Sequence, residues 1–250
     1  MDDVSDELPE KIELTRDQVE RLPIFPLPGV QMFPHALLPL HVFEPRYRML
    51  VRDCMTQSGL MGVALLEPGY ESEYEGRPPV FNICGVGRII AHEPLADGRS
   101  NILLQGVARV RILSEWPPKE EPYRVVRADL LADLSGPEDQ TSERTLRILT
   151  QELAAKIPSG GDVLKGLLDA QTDLGALTDV LAGTLVLDPD DRQKLLETLQ
   201  VGERAERLCT HLAQVIGQVA RQGSKKTPPQ GGQGGPQGGP KGGQGSSTSN

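Results

Sequence analysis

The stretch from residue 22 to residue 54 constrains the fold most, because it combines many prolines with a regular supply of apolar side chains. It reads LPIFPLPGVQMFPHALLPLHVFEPRYRMLVRDC. Proline fixes φ and has no amide hydrogen, so strands that contain it are short, lie at sheet edges or are interrupted by bends. Pro28-Gly29 is typical of a turn between two such strands. The stretch therefore predicts irregular β-structure.

The second half of this stretch predicts a helix that starts after Glu44. Proline is favoured at the first helical position, which suits Pro45. Tyr47, Leu50 and Val51 then follow at helical spacing. We therefore expect a kinked pair of strands that leads directly into a short helix.

The β pattern continues after this helix. An apolar run at 60–66 is bounded by turn signals and predicts a strand that is buried on both faces. In the strand predicted at 80–93, Gly85 and Gly87 indicate a bulge or a sharp bend.

A hairpin turn is expected at 96–99, where Asp-Gly interrupts two apolar runs. In the strand predicted at 107–113, Arg109 and Arg111 alternate with apolar residues. Such alternation is typical of a strand with one face in water, so both arginines are expected to be exposed.

Helical periodicity replaces the β pattern after about residue 137. Leucines recur at helical spacing from Leu146 to Leu153, and Asp188 followed by Pro189 is a strong helix start. A last amphipathic helix is predicted at about 201–222.

These changes in composition and hydrophobic periodicity predict four segments. The ends are polar and lack the apolar side chains that would offset the entropy of ordering, so we expect them to be mobile. The segments are an acidic leader at 1–20, a β-rich lobe at 21–135, a helical lobe at 136–222 and a Gly/Pro/Gln-rich disordered tail at 223–250.

Composition narrows the function classes. A net charge of −9 and a pI near 5.0 argue against a dedicated nucleic-acid binder, which normally has a basic face. The three cysteines are far apart in sequence, which favours reduced thiols over a disulfide framework. The start MDDVSDELPE is unlike a secretory signal, and no apolar run has a membrane-spanning length. We expect a cytoplasmic protein without a membrane partner.

Several motifs together resemble a known family. LPIFPLPGVQMFPHALLPLHVFEPRY resembles the opening of the Lon-type substrate-binding domain, the N-terminal domain of ATP-dependent Lon proteases. The domain also occurs alone in bacterial proteins and within cereblon. CGVGRII, LLQGVARVRI and LDPDDRQKLLETLQVGERAERLCTHL are similar to later family segments and follow in the expected order. The resemblance covers about residues 20 to 220.

The resemblance implies an α+β fold in which a PUA-like β pseudo-barrel is followed by an α-helical C-lobe. It also implies a stand-alone, non-catalytic module that binds unfolded polypeptide segments or a protein partner. The sequence leaves the oligomeric state open.

No catalytic, cofactor or metal site is expected. The sequence has no G-x-x-x-x-G-K-[ST] phosphate-binding loop for an ATPase, and we expect no room after residue 220 for a peptidase domain. His35, His41 and Glu44 are suitable metal ligands, but no neighbouring group is placed to orient them. The chain is therefore not expected to be an enzyme.

Apolar residues of the proline-rich stretch are the candidate contacts for a peptide or partner, in a groove expected between the lobes. The alternative is that these side chains belong to the core. The candidates are Phe33, Leu37, Leu38 and Phe43.

Two other functions stay open. A small hydrolase could use the same groove, although the sequence shows no converging titratable groups. RNA binding would need a local basic strip, for which solvated β-faces are the simpler explanation. The arginines concerned are Arg46, Arg48, Arg52, Arg109, Arg111, Arg124 and Arg127.

Overall fold

The computed structural model describes residues 14–73, 76–137, 139–157, 159–171 and 173–224. Most of the predicted tail and most of the predicted leader lie outside these residues, although residues 223 and 224 still belong to the last helix. The described end of the leader includes a short helix at Arg16–Glu20. The division of the chain into leader, lobes and tail stays a prediction.

Strands come first along the chain and helices later. The strands are β1 (Leu22–Leu27), β2 (Leu37–Val42), β3 (Leu60–Leu65), β4 (Ile83–Pro94), β5 (Ser100–Glu115) and β6 (Arg124–Leu131). The helices are α1 (Arg16–Glu20), α2 (Pro45–Met55), α3 (Asp139–Lys156), α4 (Gly161–Ala170), α5 (Leu174–Leu185), α6 (Pro189–Glu197) and α7 (Val201–Ser224), with a 3₁₀ turn at Tyr70–Glu73. We call β1–β6 with α1 and α2 the sheet lobe, and α3–α7 the helical lobe.

The strands form one mixed sheet in the order β2-β5-β4-β3-β1-β6. Among the pairs that these six strands form, only β1–β3 is parallel. β5 is 16 residues long, and its second half pairs with β6, which closes the sheet into a ring. β2 pairs only with the first half of β5 and so forms a free edge. The α+β class predicted from the sequence is confirmed.

Helix α2 begins where the sequence predicts it to begin. Glu44 is its N-cap residue, and Pro45 occupies the first turn, where the missing amide hydrogen costs no helical hydrogen bond. Its buried side chains include Tyr47, whose ring centroid lies 4.1 Å from that of Phe25 on β1. The helix therefore packs its buried side chains into the apolar core that it shares with the strands.

Two glycines let the link between β1 and β2 cross the sheet. A Cβ atom on Gly85 would lie 2.7 Å from the carbonyl carbon of Met32, and one on Gly106 would lie 2.8 Å from that of Phe33. The predicted irregularity in β4 is confirmed by a register shift between Val86 and Gly87. Gly85 itself is needed because another segment of backbone approaches it closely.

The helical lobe has its own apolar core, built from all five of its helices. The predicted start of α6 is confirmed, because the Asp188 side chain accepts hydrogen bonds of 3.0 Å from the amides of Asp190 and Asp191. A short bridge joins the lobes next to α7, where the Leu134 amide donates to the Leu199 carbonyl over 2.9 Å.

The three cysteines differ in accessibility, which predicts an order of chemical reactivity. Burial raises the pKa of both Cys54 and Cys84 to about 12, whereas Cys209 is only partly buried. Because the thiolate is the nucleophile, we expect Cys209 to react first with iodoacetamide at pH 8. Peptide mass spectrometry over time checks this order. Equal labelling of all three in the folded protein would contradict it.

Candidate functional site

The contact between the two lobes, which we call the seam, buries Phe33, one of the side chains predicted to line an interlobe groove. Phe33 is 1% exposed and belongs to the apolar core of the helical lobe, although it precedes β2 in the chain. Its ring lies 3.6 Å from where a Cβ atom would stand on Gly183 of α5. Of the two alternatives for Phe33, the structure therefore places it in the core.

Beside Phe33, four charged side chains form what we call the interlobe network: Arg109, Asp133, Asp179 and Arg204. Arg109 Nη1 donates to Asp179 Oδ2 over 3.0 Å and to Asp133 Oδ1 over 3.1 Å, and its Nη2 donates to Asp179 Oδ1. Arg204 Nη2 donates to Asp133 Oδ2 over 2.6 Å. The network joins β5, the β6–α3 link, α5 and α7.

The interlobe network pairs two cations with two anions, and three of its four side chains are removed from water, whereas Asp133 is partly exposed. Arg109 is 3% exposed, and both Asp179 and Arg204 are fully buried. Burial raises the pKa of Asp179, and the neighbouring guanidiniums of Arg109 and Arg204 act against that shift. Two such charges are stable in a core only when each is paired and hydrogen-bonded. We therefore assign the network a structural task, which is to hold the lobes together.

Arg109 is the residue that strand alternation places wrongly. Alternation predicts that it faces water together with Arg111, but it points into the seam because the helical lobe covers that part of the sheet. The sequence does contain a signal for Asp179, the partner of Arg109. Asp179 is the only charged residue in the apolar helix sequence LGALTDVLAGTL, and a buried carboxylate needs a cation.

The free edge of the sheet carries exposed apolar side chains. We call Leu37, Pro39, His41 and Phe43 the β2 surface. Leu37 and Phe43 are each 60% exposed, and the edge is open because β2 has β5 as its only neighbour in the described sheet. Leu38 alternates with them and packs against the core of the sheet lobe. The structure thus leaves Leu37 and Phe43 accessible among the four candidates.

A row of polar side chains fixes the middle of the β2 surface. His41 Nδ1 lies 2.8 Å from Asn101 Oδ1, and Asn101 Nδ2 donates to Glu93 Oε2 over 2.9 Å. The His41 ring is stacked near that of Phe43, with centroids 6.3 Å apart. These contacts restrict the His41 ring and support the exposed Phe43 ring.

A family model for the substrate-binding domain of the ATP-dependent protease La (LON) matches residues 21–214. The chain belongs to this family. The matched residues include β1–β6 and extend into α7, and we call them the Lon-type domain. The resemblance seen in the sequence is confirmed.

Lon proteases are similar to this Lon-type domain over a limited part of their length. The Lon protease of Dictyoglomus thermophilum is 26% identical over 210 residues, which is 82% of this chain and 26% of the relative. That of Roseiflexus castenholzii is 30% identical over 201 residues, or 78% of this chain and 24% of the relative. The chain thus spans about a quarter of the length of these relatives.

Two solved structures have a similar fold. The N-terminal domain of the Mycobacterium avium complex Lon protease has a TM-score of 0.61 at 17% identity and covers 77% of this chain and 98% of its own. A Lon N-terminal domain protein from Xanthomonas campestris has a TM-score of 0.54 at 25% identity and covers 76% and 97%. The similarity agrees with the α+β fold.

The arginines proposed for RNA binding do not form one strip on this Lon-type domain. Arg109 lies in the interlobe network, Arg46 pairs with Glu44 over 2.9 Å and Arg124 pairs with Glu115 over 2.8 Å. Arg48 and Arg52 lie on α2, at a cavity described below. Three of the seven arginines are therefore held in ion pairs with neighbouring carboxylates, which weakens the RNA alternative.

Two of the side chains considered as metal ligands contact other residues instead. His41 contacts Asn101, and Glu44 accepts from Arg46. In the part of the chain that the structure describes, no three His, Cys, Asp or Glu side chains are arranged to hold a metal ion. The same residues include no helix that is long and apolar enough to cross a membrane.

Proposed function

We propose that the chain is a non-catalytic recognition module that binds unfolded polypeptide segments, or an extended segment of a protein partner, on the β2 surface. The support comes from two sides. The family is that of a substrate-binding domain, and the accessible apolar side chains of the candidate set lie along the same free sheet edge. The observation that carries the proposal is the exposure of Leu37 and Phe43 on this edge.

The edge suits an extended chain because a strand without a second neighbour offers unpaired backbone groups. Pro39 has no amide hydrogen to offer, so the edge has fewer donors than an ordinary strand. Full strand pairing with a second copy is therefore disfavoured. Side-chain contacts then contribute much of the affinity for a polypeptide.

The expected affinity follows from the apolar area available. Complete burial of one side chain such as Leu or Phe is worth roughly 1.5–3 kcal/mol. Part of that gain offsets the cost of ordering the bound segment. Two such side chains give weak and reversible binding, which suits a module that takes many different segments.

Removal of the exposed apolar groups is expected to weaken binding. In the double variant Leu37→Ser with Phe43→Ser, we expect the affinity for a fluorescein-labelled, unstructured peptide rich in Leu and Phe to fall about tenfold or more, since about 1.4 kcal/mol corresponds to tenfold. Fluorescence anisotropy measures the dissociation constant. Both side chains are largely in water, so circular dichroism is expected to show an unchanged fold.

The matched control is Leu187→Ser, which removes a leucine that is 84% exposed in the helical lobe. Its affinity for the peptide is expected to equal that of the unchanged protein. Equal loss in the control and the double variant would indicate nonspecific hydrophobic binding and would contradict the proposal. Unchanged binding in the double variant would place the peptide elsewhere.

The proposal assigns no reaction to the chain, and a cytoplasmic location stays a prediction. Its support is that the buried ionisable groups of the seam bond to one another, so they are committed to structure. A broad panel of hydrolase substrates is expected to show no turnover. One robust activity that survives repurification would overturn the non-catalytic assignment.

A further inference from the structure

A cavity of about 330 Å³ lies between helix α2 and the tip of the β4–β5 hairpin. Arg48 and Arg52 enter it from α2, and His92 and Arg99 enter it from the hairpin. Met55 is the apolar residue on its α2 side that is most exposed, at 47%. We call this cavity the Arg48 pocket.

The pocket holds positive charge that the described residues leave unmatched. Arg99 is bonded to Asp97, whose carboxylate accepts from Arg99 Nε over 2.6 Å. The guanidiniums of Arg48 and Arg52 have no hydrogen-bond or ion-pair partner among the described residues. Asp53, the neighbouring acid on α2, accepts instead from the Tyr123 hydroxyl over 2.7 Å. A chain with a net charge of −9 thus has a local cationic site.

The hairpin turn holds Arg48 in place. Gly98 has a φ of +81°, and a Cβ atom there would lie 2.8 Å from the Arg48 guanidinium carbon. The turn therefore packs directly on the half-buried Arg48 side chain. The Asp97 contact orients Arg99 on the other side of the turn. A guanidinium held in this way loses little conformational entropy when it binds an anion.

The Arg48 pocket borders the β2 surface. Arg99 Nη1 lies 3.5 Å from His41 Nε2, and the His41 ring is stacked near Phe43. In the sheet register Val42 pairs with Ser100, which lines the pocket. A polypeptide that contacts His41 and Phe43 therefore passes close to Arg99 at the edge of the pocket.

We propose that the Arg48 pocket binds the carboxylate of an Asp or Glu side chain in the bound polypeptide, so that the preferred segment carries an acid next to apolar residues. This inference rests on the proposed function. Guanidiniums bind carboxylates in strong, charge-assisted hydrogen bonds, which can be bidentate. A single carboxylate suits the site better than a long polyanion, because the rest of the chain is acidic and repels extended negative charge.

The test compares peptides that differ at one position. All carry the same Leu- and Phe-containing segment, with acetylated and amidated ends so that no terminal carboxylate is present. The peptides differ only at the position next to the Leu- and Phe-containing segment, which is Glu, Gln or phosphoserine. We expect the Glu peptide to bind at least fivefold more tightly than the Gln peptide at about 50 mM salt, and the difference to shrink as salt screens the charges.

The variant Arg48→Gln with Arg52→Gln is expected to remove the preference for Glu and to leave the affinity for the Gln peptide unchanged. Arg144→Gln is the matched control, because Arg144 is an exposed arginine of α3. It is expected to keep the full preference. A preference that persists in the double variant would show that the acid binds elsewhere and would overturn the assignment.

The outcomes separate the two proposals. If the Glu and Gln peptides bind the unchanged protein equally, the carboxylate site is wrong while the polypeptide-binding function stands. If neither peptide binds, the proposed function fails and the pocket loses its ligand with it. If only the phosphoserine peptide binds tightly, the pocket recognises phosphate, and the carboxylate assignment is overturned.

Discussion

Replacement of Asp179 by alanine is expected to lower the free energy of unfolding by about 3–5 kcal/mol, because it leaves two buried guanidiniums with too little negative charge. Arg109 and Arg204 are almost completely buried, and both contact this carboxylate. Neither can reach water without opening the seam between the lobes. Urea denaturation followed by circular dichroism measures the loss through the shift in midpoint.

The control for this variant is Glu203→Ala, which breaks an exposed ion pair with Arg207 at 2.7 Å. Exposed pairs contribute at most about 1 kcal/mol, so a small loss is expected. A second test is the double variant Asp179→Leu with Arg109→Met, which removes one charge of each sign. It is expected to be more stable than Asp179→Ala, since no guanidinium is left unmatched. If Asp179→Ala loses no more unfolding free energy than Glu203→Ala, the interlobe network contributes little to stability.

The parts of the fold that were predicted correctly depend on local signals. Pro45 after Glu44 and Pro189 after Asp188 mark helix starts through the geometry of a few adjacent residues. The same is true of the apolar run that became β3, which is buried along its whole length. Such signals need no knowledge of distant parts of the chain, so they are readable from sequence.

The misplaced features depend on contacts between distant segments. Arg109 and Asp179 are 70 residues apart, and strand alternation contains no information about a helical lobe that covers one end of β5. Phe33 likewise shares a sequence stretch with Leu37 and Phe43, yet it enters the helical core while they stay in water. Apolar character alone cannot distinguish a core residue from a binding residue.

The candidate site was only partly predictable for the same reason. The apolar character of Leu37 and Phe43 makes them candidates, but their exposure follows from β2 being the free edge of a sheet that closes elsewhere. From sequence alone, Arg48 and Arg52 are candidates for an RNA-binding strip. Their proposed task depends instead on the turn around Gly98, which lies about fifty residues further along and packs on Arg48.

The second large effect is expected from Gly106→Ala, because the added methyl group would meet backbone and could not rotate away. Its Cβ atom would lie 2.8 Å from the Phe33 carbonyl carbon and closer still to the carbonyl oxygen. The Phe33 backbone cannot easily move away, because two hydrogen bonds hold this segment against Gly106. The His35 amide donates to the Gly106 carbonyl and the Gly106 amide donates to the Ala36 carbonyl, both over 2.9 Å. We expect a loss of about 3 kcal/mol or more, at the upper end of overpacking costs.

The matched control is Gly166→Ala in α4, where a Cβ atom would meet no described atom within 4 Å. There the same substitution is expected to raise stability by up to about 1 kcal/mol, because alanine is the better helix former. If the free energy of unfolding falls in Gly106→Ala and rises in Gly166→Ala, the loss at Gly106 comes from the β1–β2 link that crosses there. That link carries Phe33 into the helical lobe and leads into β2, so Gly106→Ala is also expected to weaken peptide binding at the β2 surface. A stable Gly106→Ala protein with normal binding would contradict this account of how the edge is positioned.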